Sequence, residues 1–207
     1  MNDIHVGAIV TFGGYAWRVL DIQNNAALLL TEEIIELRAY HDVYKETTWA
    51  DCGLRKYLNG AFYDTFNEAD RSRILPVINK NPDNPWYGTQ GGEDTQDHIF
   101  LLSLEEAVCK YFGDSSEKLY HRGQNQRYWF QRKDENNIKR RATSLGCMWW
   151  WWLRTPGRYN VKAVYIHGDG NIGIQGNNIF RCNITSCFHP VNGDNRGGVR
   201  PALWVQL

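Results

Sequence analysis

The sequence predicts an α+β domain built from mixed, mostly antiparallel sheets and two helices. Three observations carry that prediction: a period-two apolar pattern near the N-terminus, two helix starts marked by capping residues, and an Asp-Gly hairpin followed by an alternating terminal strand. At 207 residues one hydrophobic core suffices, and the length does not require a second domain.

The meander comes first. AIVTF, YAWRVLDI and AALLL are separated by Gly13-Gly14 and Asn24-Asn25, and the alternation within YAWRVLDI is that of a strand with one buried face. From Thr48 the period changes: Leu54, Tyr57, Leu58 and Phe62 fall on one helical face, and Thr48 with Asp51 suggests a capping box, with the helix ending at or just beyond Gly60. A second helix is announced by Ser103 and Glu106, runs through Leu104, Ala107, Val108, Tyr111 and Phe112, and stops at Gly113. Between the helices, residues 79–97 are dense in Pro, Gly, Asn and Asp and predict a loop of successive turns. The stretch 119–141 has no assignable period. In a strand, the run Trp149–Trp152 would place two tryptophans on each face, one pair buried and the other covered by a loop or a ligand. AVYIHGDGNIGIQG predicts a hairpin turning at Asp169-Gly170, and VRPALWVQL the closing strand.

Lys plus Arg (23) balance Asp plus Glu (23), which excludes a global field that would draw in nucleic acid or an acidic membrane. Nine Trp, eleven Tyr and eight Phe suit a rigid β-rich body. The five cysteines are odd in number and lack a CxxC pair, so reduced thiols are expected; Cys182 and Cys187 would bridge only after export. MNDIHVGAIVTFGG has no basic-then-apolar leader, and no stretch approaches a membrane span. A cytoplasmic or phage-particle location is therefore expected, with any surface display supplied by a partner. GxSxG, P-loop and HExxH motifs do not occur. His167 and His189 lack a partner at zinc-ligand spacing, so no metal is expected. Glu105 and Glu106 diverge on a helix, which suits capping rather than acid–base work.

FGGYAWRVLDI, TWADCGLRKYLNGAFYDTF, PWYGTQGG, IFLLSLEEAVCKYFG, WWLRTPG and GGVRPALWV, in that order over nearly the whole chain, resemble a domain of gut bacteria and their phages. That group includes the variable proteins of diversity-generating retroelements. The resemblance implies a single C-type-lectin-like domain with N- and C-terminal strands paired: scaffold 1–157, variable region 158–198 and closing strand 199–207. It also implies a non-enzymatic protein that recognises a macromolecular ligand, a protein or cell-surface molecule, without a cofactor. Related formylglycine-generating enzymes use a cysteine pair that is not recognisable here, and Asn81-Pro82-Asp83 is only a partial echo of the lectin calcium loop.

In such systems mutagenesis strikes template adenines, typically in Asn codons, from which Glu, Lys, Gln, Met and Trp cannot be reached. Residues 158–198 contain no Trp, Met or Glu, and only Lys162 and Gln175 stand outside the reachable set. Pro156, Gly157, Ala163, Ile166, Asp169, Gly170, Ile172, Gly176 and Ile179 match the invariant frame. The ligand contacts then expected are Arg158, Tyr159, Asn160, Tyr165, His167, Asn171, Ile174, Asn177, Asn178, Phe180, Arg181, Phe188 and His189, rich in residue types that dominate binding hot spots. Two other functions remain open. Residues 118–141 hold eight Lys or Arg against two acids, interleaved with aromatics, the ingredients of a single-strand nucleic-acid groove and equally of a solvated insertion. The other is assembly into a phage particle through the same C-terminal face.

Overall fold

In the computed structural model, residues 4–114, 119–120, 135–182 and 186–207 are described. Strands β1 (Ile9–Phe12), β2 (Tyr15–Gln23) and β3 (Ala26–Thr31) form the antiparallel meander that the period-two pattern predicts. At the second turn Asn24 and Asn25 adopt φ of 49° and 59°, the left-handed pair a two-residue hairpin requires and Asn tolerates. The chain's last strand, β15 (Ala202–Gln206), lies antiparallel to β3, from Ala202 opposite Leu30 to Gln206 opposite Ala26. β5 (Ile74–Leu75) and β8 (Ile99–Phe100) also pair with β15, giving the order β1-β2-β3-β15-β5. β3 is buried along its whole length because it is hydrogen-bonded on both edges and covered on both faces.

The second sheet runs β13 (Ile172–Asn178), β12 (Lys162–Ile166), β11 (Trp151–Pro156), β14 (Gly198–Val199), β4 (Glu36–Leu37), antiparallel except for β11 with β14. The chain steps directly from one sheet to the other between β3 and β4 and again between β14 and β15. Arg200 is buried at that crossing, donating from Nε to the Thr31 carbonyl at 2.8 Å with its guanidinium 5.0 Å from the Trp151 ring. Burial disfavours its charged form and draws its pKa down to about 10.

Helix α1 (Gly53–Tyr57) continues into a π turn over Leu58–Phe62, and Leu54, Leu58 and Phe62 face the core as their spacing predicts. Its cap corrects the sequence reading. Cys52, not Thr48, is the N-cap, its sulfur accepting from Arg55 N–H at 3.3 Å, while the Thr48 carbonyl closes the turn before it. A further short helix, α2 (Glu68–Arg73), is capped by Asn67. The second expected helix is present: Ser103 N–H donates to Glu106 at 2.8 Å, Glu106 N–H donates to Ser103 Oγ at 3.2 Å, and the helix ends in a π turn, Glu106–Lys110, before Gly113 at φ +88°. A fourth helix, α3 (Glu135–Arg140), lies where no periodicity announces one. The 79–97 loop is pinned at its ends by β6 (Val77–Asn79) pairing with β7 (Thr95–Asp97).

All four tryptophans of the 149–152 run are buried, where a strand with one open face would cover only two of them without outside help. Each has its own cover: Trp149 meets His189 at 5.0 Å, Trp150 meets Tyr165 at 5.3 Å, Trp151 lies under Arg200, and Trp152 meets Tyr40 at 5.7 Å. The indoles of Trp149, Trp151 and Trp152 donate to the carbonyls of Arg196, Arg140 and Arg38. At about 25 cal/mol per Å², burying one indole contributes roughly 5 kcal/mol at most, so the run anchors the second sheet. Among the described residues no helix is long and apolar enough to cross a membrane.

Candidate functional site

The hairpin β12–β13 carries most of the residues of interest, and its turn is seated rather than free. Gly170 adopts φ +84°, and a Cβ there would lie 1.8 Å from the Asn137 carbonyl oxygen, so only glycine fits. From α3, Arg140 donates to the Gly170 carbonyl at 3.0 Å and Asn137 donates to the Asn171 side chain at 2.7 Å. Asp169 accepts from the Asn171 backbone and side chain, closing the turn. On the far side of the hairpin, Asn84 donates to the carbonyls of Pro156 and Ile174. The hairpin is therefore covered by α3 at its tip and by the 80–92 loop along its edge.

That cover divides the expected contact residues. Tyr159 (52 % exposed), Phe180 (38 %) and Phe188 (53 %) stand in solvent, as do Arg158 and Arg181, while Asn160 and Asn178 are half-buried. Tyr165 (8 %), Ile174 (1 %), Asn171, Asn177 and His189 (1 %) are internal, which removes these five from a rigid contact surface. Tyr165 packs on Trp150 and burial pushes its hydroxyl pKa up. His189 accepts from Val191 N–H at Nδ1, so Nε2 carries the proton that it shares with the Ser144 carbonyl at 3.1 Å. His167 is half-buried, 4.6 Å from the Tyr165 ring; burial pulls its pKa down against the opposing effect of Asp169. The expectation that neighbours of the isoleucine frame point outward fails at Tyr165, Asn171, Ile174 and Asn177 because both faces of the hairpin are covered, and His189, on a later segment, packs against Trp149.

The exposed residues gather mainly at the end of the hairpin away from its turn, where backbone hydrogen bonds tie four segments together. Tyr40 and His41 N–H both donate to the Ile179 carbonyl, Ile179 N–H donates to Val161, Thr47 N–H donates to Asn160, and Cys182 N–H donates to Asn195. The 41–47 loop thus bridges from Ile179 to Asn160 and exposes Val43 and Tyr44 beside the ribbon. Thr89 donates to the Arg158 carbonyl, Asn160 donates to Gln90, and the Arg158 guanidinium lies 5.4 Å from the Tyr159 ring and 5.8 Å from Tyr87. Val43, Tyr44, Tyr87 and Gln90 escape the sequence reading; the one available signal is aromatic and apolar residues inside otherwise polar turn segments. Phe188 stands apart from this cluster, on the segment that His189 fixes to the β9 (Thr143–Ser144) and β10 (Cys147–Met148) hairpin.

The basic stretch 118–141 lies largely outside the described residues. Where it is described, Lys139 is exposed, Arg141 is half-buried, and Arg140 is internal, paired with Asp114 at 2.6 Å. Arg140 is therefore a structural ion pair rather than part of a nucleic-acid surface. No group of three or more His, Cys, Asp or Glu is placed to hold a metal among the described residues. None of the five cysteines is in a disulfide, and Cys187 lies against Cys182, with burial and that neighbour pushing its pKa up to about 12.

Fold and site together define an α+β domain, mostly antiparallel sheet, that presents a cluster of aromatic and basic side chains on a fixed backbone. Residues 24–207 match the family described as Domain of unknown function (DUF6273), and the chain belongs to that family. No curated protein and no solved structure matches the chain.

Proposed function

We propose that the protein is a non-enzymatic receptor on a C-type-lectin-like scaffold, whose exposed C-terminal ribbon recognises a protein or other cell-surface macromolecule and is diversified by a retroelement. The observation that carries this reading is the division of the 158–181 segment into side chains that reach solvent and a backbone held by the core. Arg158, Tyr159, Phe180 and Arg181 are exposed, whereas Ile166, Ile172 and Ile179 are fully buried between them. A fixed backbone favours binding because fewer torsions are frozen on association. The closing strand β15 joins the N-terminal meander through β3 and not, as expected, through the first strand β1; that shared sheet, and a second sheet that carries the ribbon, support the lectin-like scaffold.

The reading is tested in the source genome. It predicts a reverse transcriptase gene and a non-coding near-copy of the segment encoding WWLRTPG to GGVRPALW, differing at adenines. The differences should fall on the codons of Arg158, Tyr159, Asn160, Asn178, Phe180, Arg181 and Phe188. No near-copy, or substitutions concentrated on the buried isoleucines, contradicts it.

A further inference from the structure

Beside the ribbon end lies a cleft of about 280 Å³ lined by Ala39, Asp42, Phe180, Arg181, Asn195 and Arg196. Its volume suits one side chain rather than a drug-sized molecule. Two arginines line it, in different states. Arg196 is fixed by Asp194, with Nε–H at 3.0 Å from both carboxylate oxygens and Nη2–H at 2.6 Å from one, and its Nη1 has no partner among the described residues. Arg181 is exposed, lies 5.7 Å from the Phe180 ring, and has no carboxylate partner among the described residues. The cleft's own acid does not neutralise it: Asp42 is turned against Gly53, where a Cβ would lie 2.4 Å from its Oδ2.

The charge pattern of the segment points the same way. Residues 158–198 hold four cations (Arg158, Lys162, Arg181, Arg196) and two anions, a net of +2 in a chain whose total is zero. Both anions are engaged locally, Asp169 by Asn171 and Asp194 by Arg196. Guanidinium forks match carboxylates in shape, and a pair in which Arg196 is already held by Asp194 loses less side-chain freedom on binding than two loose lysines. Resting on the ribbon as recognition face, we infer that this cleft takes a carboxylate side chain from an acidic segment of a protein ligand. Phe180 in its wall is a residue type suited to a protein partner rather than to a bare anion.

The test uses the whole chain and fluorescein-labelled hexaglutamate, followed by anisotropy at low ionic strength. Saturable binding is expected, weakened about tenfold or more by Arg181→Glu and by Arg196→Glu, and by less than about twofold by Arg71→Glu on α2, a residue distant in sequence and element from the cleft. Thermal melting confirms that each variant is folded. Arg181→Lys, which keeps charge but loses the fork, should retain only part of the binding. Absence of hexaglutamate binding, or equal losses in all three Glu variants, overturns the assignment. So does preferential competition by inorganic phosphate or by an oligogalacturonate, which would place the anion on a phosphorylated or a glycan ligand instead. Each of these failures removes the acidic protein segment as the occupant while leaving the diversified face to be judged by the genomic near-copy.

Discussion

Arg154 and Glu106 meet at 2.5 Å inside the molecule, joining the WWLRTPG strand to the capping box of the second helix. Arg154 also donates to the carbonyls of Leu101 and Lys80, so one guanidinium ties β11 to that helix and to the loop that covers the hairpin. Burial opposes ionisation of Glu106, but Arg154 and the Ser103 N–H outweigh it and leave the carboxyl below its usual range. A depressed carboxylate stabilises the fold above the unfolded-state pKa of about 4.3 and loses that contribution as pH falls through the folded value. Equilibrium denaturation should therefore show stability declining below about pH 4, and Glu106→Gln should flatten that decline. Arg154→Met, which removes the guanidinium paired with the Glu106 carboxylate, should cost about 3 kcal/mol at pH 7.

The seat of the hairpin turn gives a second prediction. Gly170→Ala places a methyl against the Asn137 carbonyl in a left-handed conformation, and a loss of roughly 2 kcal/mol or more is expected from urea denaturation. Gly193→Ala also carries a positive φ, 68°, but meets nothing within 4 Å, so its cost should be limited to the backbone term of about 1 kcal/mol.

Thiol reactivity follows from burial. Cys52 and Cys187 are both pushed up to about 12 and Cys109 to about 11, chiefly by desolvation, and Cys182 is buried. Because the thiolate is the nucleophile, these four should resist iodoacetamide at pH 8 without denaturant. Mass spectrometry should locate the first adduct on half-exposed Cys147; rapid labelling of Cys187 would contradict the packing of the Cys182–Cys187 contact.

Local chemistry was the legible part of the fold. Ser103 with Glu106, Asn24-Asn25 and Asp169-Gly170 act through neighbours a few residues away, and each forms as its residues predict. The Thr48–Asp51 expectation fails because a thiol, a weak acceptor that is uncommon in this role, caps α1 from Cys52. Helix α3 and the internal placement of Arg140 depend on Asp114, 26 residues away, which no local pattern reveals. Tyr165, Asn171, Ile174, Asn177 and His189 fail for one shared reason. The spacing of frame residues suggests which neighbours turn outward, but what covers them is contributed by distant segments, here Trp149 and Trp150, α3 and Asn84. Val43 and Tyr44 are missed for the converse reason, since only the bonds from His41 and Thr47 to the ribbon bring their loop beside it.

The most direct measurement of the central claim is a display library in which Arg158, Tyr159, Asn160, Phe180, Arg181 and Phe188 are randomised together, scored for protease resistance and then for capture by acidic protein targets. A matched library randomises Tyr165, Asn171, Ile174 and Asn177. Most members of the first library should stay folded, with single changes costing within about 0.5 kcal/mol, and should yield target-specific binders. Most members of the second should be cleaved, since emptying such sites costs about 2–5 kcal/mol. Equal tolerance in the two libraries, or a first library that folds and yields no binder, would contradict a recognition surface mounted on this ribbon.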